Sequence, residues 1–278
     1  EQDWSQDNIP ETTNNIIVKR GDIFQLWEHR LMCGDSTSEE EVKTLMDGMK
    51  ADMVFTDPPW NVNYGDVEKW NKQWYKPRKI LNDFMSTDEF KNFMNDVFAN
   101  MAKNSNPWCM TYVVMSAQEW WNMMLTLNMN KYHRSSTICW NKNSLILSRK
   151  DYHTKYEPIW YWWLDGASRI HPLLDRKQSD VRDINRPSVS DLHPTTKPIE
   201  LIDRALNNSS KKWAPVLDLF WWSGSTLIAC EKTKRKCFMM ELDEQYIQVI
   251  IKRYHDYTKW SGMIKCLNRQ LDLKDITK

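Results

Sequence analysis

The chain has 278 residues, enough for one large domain or two small ones. Thirty-eight Lys and Arg offset 37 Asp and Glu to a net charge of +1, so global charge selects no partner. No apolar run approaches a membrane span, no basic-then-apolar leader opens the chain, and the six cysteines are scattered without a CxxC pair. Membrane insertion, secretion, a disulfide framework and a zinc site are therefore disfavoured, and a reducing cytoplasm is expected.

Residues 1–15 carry four acids and no Lys or Arg and read as a flexible leader. From Ile16 short apolar runs alternate with amphipathic stretches. Residues 29–35 predict a strand ending in a turn, 38–48 a helix opened by Ser38, and 51–60 a buried strand stopped by two prolines. A helix over 87–103 opens with Thr87 and Asp88, both good capping types. A strand at 109–115, a helix at 117–129 and a strand at 135–140 follow. The stretch 141–192 has weak periodicity and reads as loops with one short strand near 156–162. A strong pattern resumes with a helix from Pro198 to Asn207, a strand at 214–220, a helix at 225–234, a strand at 236–242 and a helix at 244–258. Strands alternating with helices predict an α/β fold, a mostly parallel sheet covered on both faces. Residues 261–278 read as a C-terminal tail.

Three segments carry chemistry. Asp57-Pro58-Pro59-Trp60 ends a predicted strand, the edge at which open α/β sheets bind ligands. A carboxylate there accepts a hydrogen bond from an amino group, a proline-fixed carbonyl accepts another, and the aromatic offers a stacking face; a plain strand-ending turn is the competing reading. Asp218 to Thr226 runs from strand through a tight loop to a helix N-terminus, which presents backbone N–H groups to a polar ligand. Glu241 and Asp243 end the next strand, where an acid can hold ribose hydroxyls or simply cap a helix. His193 to Glu200 opens the helix before the Asp218 strand.

Together these segments resemble the S-adenosylmethionine-dependent DNA amino-methyltransferases of the N6-adenine/N4-cytosine kind. DPPW matches the catalytic [DNS]PP[YFW] motif, DLFWWSGST the cofactor motif usually written DPFxGSGTT, and HPTTKPIELI the segment preceding it. KCFMMELDEQYIQVIIKRYHDYT matches the ribose-binding strand and helix, and LMCGDST and RKILNDFM also look like this family. The motif order, catalytic first and cofactor last, is that of the β group, and the resemblance covers roughly residues 17–260. It implies a Rossmann-like methyltransferase domain over 16–260 with a small irregular target-recognition region at 141–192. It also implies double-stranded DNA as substrate, and leaves a homodimer and a paired restriction endonuclease open.

The resemblance implies that Trp60 stacks on a flipped adenine. Asp57 and the Pro58 carbonyl, with Pro59 fixing the turn, accept hydrogen bonds from its amino group. Asp218, Phe220, Ser223 and Gly224 cradle the methionine portion of S-adenosylmethionine. Glu241 and Asp243 meet its ribose, Asp35 its adenine, and Thr195, Thr196 and Lys197 close the site. No covalent intermediate and no metal are required. Residues 131–155 hold six Lys or Arg against one acid, so Lys142, Arg149 and Lys150 are candidate phosphate contacts. Asp in the first motif position favours adenine over cytosine.

Composition carries one anomaly. Glycine numbers 7 and tryptophan 16 of 278; together they make about 8% of the chain, roughly what glycine, about 7% on average, plus a few tryptophans normally gives. Family glycines correspond to Trp27, Trp108, Trp213, Trp221 and Trp222, and further to Trp162 and Trp260. One residue type replacing glycine repeatedly points to a gene in which UGA encodes glycine, translated with UGA as tryptophan. If Trp221 and Trp222 are genuine, an inactive methyltransferase-like DNA-binding protein is the alternative; an N4-cytosine enzyme is the other. A nicotinamide-dependent oxidoreductase is disfavoured, since no GxGxxG is present and DPPW is left idle.

Overall fold

The computed structural model describes residues 4–10, 15–63, 81–146, 151–167, 173, 177–187, 196–220, 223–259 and 264–277. Among them ten strands form one sheet: β1 (Ile23–Leu26), β2 (His29–Cys33), β3 (Ala51–Thr56), β4 (Ser105–Val114), β5 (Tyr132–Ile146), β6 (Thr154–Leu164), β7 (Val181–Asp183), β8 (Pro215–Asp218), β9 (Lys236–Glu241) and β10 (Ile264–Cys266). Their spatial order is β10-β1-β2-β9-β8-β3-β4-β6-β5-β7. The centre, β2-β9-β8-β3-β4, is parallel throughout. Antiparallel pairing begins at β1 on one side and β6 on the other.

Helices cover both faces. On one, α1 (Glu39–Met46), α2 (Thr87–Lys103) and α3 (Trp120–Met129) bury Val42, Leu45, Phe90, Phe98 and Leu127 against Val54 and Val113. On the other, α4 (Ile199–Ser209), α5 (Ser225–Thr233) and α6 (Glu244–Thr258) bury Leu201, Ile228 and Ile250 against Met53, Val216 and Met239. A short α7 (Lys274–Thr277) adds Ile276 to that side. The helix starts follow capping chemistry. Ser38 accepts from the Glu41 N–H and opens α1 as expected. For α2 the cap is Ser86 rather than Thr87 or Asp88, in a reciprocal capping box with Glu89.

Several expectations need correction. Within 141–192 the described residues hold more strand than expected: β5 runs on to Ile146 and pairs antiparallel with an eleven-residue β6, which contains the short strand expected near 156–162. Its six consecutive buried residues, Glu157 to Trp162, are those of a strand covered on both faces. The leader is not free of the fold. Asp7 accepts the N–H of Ile199 at 3.1 Å, and the Gln6 carbonyl accepts from Arg253 at 2.7 Å. The segment read as a tail supplies β10, paired antiparallel with β1, itself a strand the sequence did not announce.

Two tryptophans bear on the glycine question. Trp27 (φ 53°) and Trp213 (φ 68°) both lie in the left-handed region, where a bulky side chain is strained and glycine is at ease. Trp27 is the first central residue of the two-residue turn between Leu26 and His29, where a type II′ hairpin places glycine. Trp108 and Trp162 lie instead within β4 and β6. Trp221, Trp222 and Trp260 lie outside the described residues.

Candidate functional site

Topology places the site. β3 and β8 are parallel neighbours at mid-sheet, with Met53 opposite Val216 and Val54 opposite Leu217. The sheet grows from β3 toward β4 on one side and from β8 toward β9 on the other. The carboxyl ends of β3 and β8 therefore flank a topological switch point, the place where such sheets open a crevice. Asp57 to Trp60 leaves β3 there, and Leu219 and Phe220 leave β8 beside it.

The Asp57 carboxylate takes the Trp60 indole N–H on Oδ1 at 3.2 Å and the Lys197 ammonium on Oδ2 at 2.5 Å. Lys197 also stands 5.4 Å from the centroid of the Trp60 ring. Burial pushes the Asp57 carboxyl above the usual aspartate value, and the Lys197 ammonium draws it part of the way back. For Lys197, burial alone would lower the pKa; Asp57 and Glu157 together hold it above the ordinary lysine value.

Asp218 has a bracing geometry. Its Oδ1 accepts from Thr56 Oγ1 at 2.8 Å and from the Phe220 N–H at 3.2 Å, while Oδ2 accepts from Thr226 Oγ1 at 2.9 Å. It therefore locks β3, the loop and α5 together, and burial raises its carboxyl to about 7. Gly224, with φ 88°, is the N-cap of α5, a conformation that glycine adopts without strain. Arg253 on α6 donates to the Ser223 carbonyl at 2.5 Å and fixes the loop from behind.

Two clefts meet at Phe220. One is lined by Asp57, Lys197, Asp218, Ser223, Gly224 and Thr226. The other is lined by Asp35, Pro59, Leu219, Glu241, Asp243 and Tyr246. Glu241 Oε1 accepts the Asp243 N–H at 2.8 Å, and Asp243 caps α6 through the Gln245 N–H at 2.9 Å. Asp35 accepts from both the N–H and the hydroxyl of Thr37. A carboxylate-lined cleft thus adjoins an aromatic and carboxylate turn, with Phe220 lining both.

A model of the N6/N4 methyltransferase family, described as DNA methylase, matches residues 51–253. The chain belongs to this family of DNA methylases. Curated relatives include the Type II methyltransferases M.Cfr9I of Citrobacter freundii and M.XycI of Xanthomonas campestris pv. cyanopsidis, each 27% identical over 144 residues. A third, M2.MboI of Moraxella bovis, is 26% identical over 148 residues. Each match covers 48% of this chain, and the first two cover 48% of the relative, so the matched region spans about half of either protein. Among solved structures, the M1.HpyAVI-SAM complex has a TM-score of 0.61 at 20% identity, covering 80% of this chain and 97% of that one. The cytosine-N4-specific PvuII DNA methyltransferase has 0.62 at 14% identity, covering 97% and 94%. At these identities the likeness speaks for the fold, a Rossmann-like methylase sheet.

Within this methylase the structure brings Asp57, Pro58, Pro59, Trp60, Lys197, Asp218, Phe220, Ser223 and Gly224 to the crevice, with Asp35, Glu241 and Asp243 along its extension. Thr196 immediately precedes Lys197, half-buried. Thr195, Arg149 and Lys150 lie outside the described residues. Lys142 is a correction: it is 2% exposed, with its ammonium 2.5 Å from Glu157, and so cannot reach a phosphate. Within the same basic run, Lys131, Arg134 and Lys155 are exposed. Three residues went unread in the sequence. Gly34 sits where an added Cβ would lie 2.8 Å from Glu41 Oε2, the oxygen that takes the Asp35 N–H. The others are Arg253 and Glu157; only for Gly34 did the sequence carry a signal, a glycine at a strand's carboxyl end. Among the described residues no helix is long and apolar enough to cross a membrane. The Cys33 and Cys109 thiols are pushed up to about 12 by burial, which leaves them unreactive.

Proposed function

We propose that this methylase transfers a methyl group from S-adenosylmethionine to the exocyclic N6 amino group of adenine in double-stranded DNA. The observation that carries the reading is Asp57 at the switch point, one cleft away from a carboxylate-lined groove whose chemistry suits the cofactor. The donor set fits: Glu241 and Asp243 can accept from ribose hydroxyls, Asp35 can face the adenine, and Phe220 and Leu219 give the apolar wall. When bound, the cofactor supplies a sulfonium methyl whose carbon–sulfur bond breaks with its electrons leaving on sulfur.

The remaining chemistry belongs to the chain. Asp57 and the Pro58 carbonyl accept the two amino hydrogens and so turn the nitrogen lone pair out of the ring. Trp60 stacks on the flipped base. The methylated nitrogen must shed a proton. Asp57, made more basic by burial, is placed to take it. Asp218 braces the loop that would cradle the methionine portion of the cofactor. DNA would lie across the carboxyl edge of the sheet, where the β5–β6 hairpin projects past the end of β4 and carries exposed Lys155. The Type II names of the curated relatives support a restriction–modification setting for this chain; a cytoplasmic location and a restriction endonuclease partner are part of the proposal.

Adenine rests on Asp at the first motif position. The test is nucleoside mass spectrometry of DNA incubated with cofactor and protein, both as written and with Trp221→Gly/Trp222→Gly. N6-methyladenine supports the reading. N4-methylcytosine refutes the base assignment alone, and no methyl product from either protein refutes the activity.

A further inference from the structure

Four side chains of alternating charge run inward from the β5–β6 hairpin to the catalytic turn. Lys142 Nζ lies 2.5 Å from Glu157 Oε1. Glu157 Oε2 lies 3.4 Å from Lys197 Nζ, which in turn lies 2.5 Å from Asp57 Oδ2. Their side chains are 1%, 11%, 7% and 15% exposed in that order, so water screens little of this chain. Two cations and two anions cancel, which a buried cluster requires. Glu157 stays ionised: burial would raise its carboxyl, but Lys197 and Lys142 hold it below the usual glutamate value.

The placement gives the cluster a use. Lys142 on β5 and Glu157 on β6 sit on the hairpin where it passes the carboxyl edge of β4. Lys197 precedes α4 and is the link between hairpin and Asp57. With Glu157 absent, Lys197 would lose its second anion and Lys142 its buried partner.

We propose that Glu157, backed by Lys142, is a positioning residue for methyl transfer: it fixes the Lys197 ammonium, and through it the Asp57 carboxylate is held aimed at the target amino group. The proposal rests on the amino-methyltransferase reading above. It also joins the hairpin mechanically to the catalytic carboxylate, so displacement of one moves the other.

Three variants test it in whichever parent, as written or glycine-restored, transfers methyl. Glu157→Asp keeps the charge but withdraws the carboxylate by one methylene. Glu157→Gln/Lys142→Met removes a cation and an anion together, which spares the fold the unpaired buried charge left by a single deletion. Lys197→Arg assigns the Lys197 ammonium signal in protein labelled with ¹⁵N-lysine, a measurement made without cofactor. Expected for Glu157→Asp is a kcat lowered roughly 10- to 100-fold, with KM for DNA and Kd for S-adenosylmethionine within twofold of the parent and the Lys197 ammonium signal shifted or broadened. The double variant, where it melts as the parent does, should lose turnover similarly. Parental kcat with an unmoved Lys197 signal in Glu157→Asp overturns the proposal, as does parental kcat in a folded double variant. Failure of both parents to methylate DNA falls on the amino-methyltransferase reading instead.

Discussion

Asp218→Asn should make the protein more stable relative to its parent as pH rises. The carboxyl is 4% exposed and burial lifts it from 3.8 to about 7. In the unfolded chain it ionises near its ordinary value, so between those two values the unfolded state has released a proton that the folded state keeps. Linkage then makes its contribution fully favourable below about pH 4 and lost as pH rises through about 7. The full displacement corresponds to about 4 kcal/mol. Somewhat over a third of that is already felt at pH 5, leaving roughly 2–3 kcal/mol between pH 5 and pH 8. Asparagine is nearly isosteric: its oxygen can still accept from Thr56 and the Phe220 N–H, and its amide can donate to a Thr226 hydroxyl that now accepts. Urea unfolding of parent and variant at pH 5, 6, 7 and 8 reads the difference directly, with other titrating groups common to both. A difference in unfolding free energy that is flat across this range would refute the assignment of a buried, raised carboxyl at Asp218.

Trp27→Gly and Trp213→Gly should each stabilise by roughly 1 kcal/mol, since each relieves left-handed backbone strain at a large side chain; lower urea midpoints would contradict this. The codons at 27, 213, 221 and 222 should be UGA, whereas that of Trp60 should be UGG; UGG at both 221 and 222 removes the recoding account. Arg253→Met should weaken S-adenosylmethionine binding in calorimetry, because the Ser223 carbonyl and the Gln6 carbonyl lose a buried donor; unchanged affinity would free the loop from this brace. Lys155→Ala should reduce DNA affinity and the slope of its logarithm against salt by about one unit. Equal affinity along parallel lines would place DNA elsewhere.

The site was legible because its chemistry sits at strand ends, where motif and topology coincide. Asp57 and Asp218 could be placed from a proline stop and a strand-to-helix loop, and α2 and α6 occupy residues 87–103 and 244–258 as their 3.6-residue periodicity dictates. The hairpin was legible only in part. Strands were expected at 135–140 and near 156–162, but the length of β5 and β6 and their pairing are set by register between them and with β4, which the sequence does not display. Lys142 shows the limit of charge counting: inside a basic run it reads as surface, yet a carboxylate fifteen residues away draws it inward. Glu157 is the same error seen from the partner's side. Asp218 had the right address, and the folded loop adds a bracing role that the sequence did not display, since three donors meet its two oxygens. Glu241 and Asp243 combine both readings weighed for them: Asp243 caps α6 and both line the groove.

Asp57 is the centre of the account, and single-turnover methyl transfer in Asp57→Ala tests it most directly. With radiolabelled S-adenosylmethionine and DNA in the parent that transfers methyl, the variant should bind cofactor as the parent does and form no measurable methylated DNA. Near-parental turnover with intact binding would contradict the account and remove Asp57 from the chemistry.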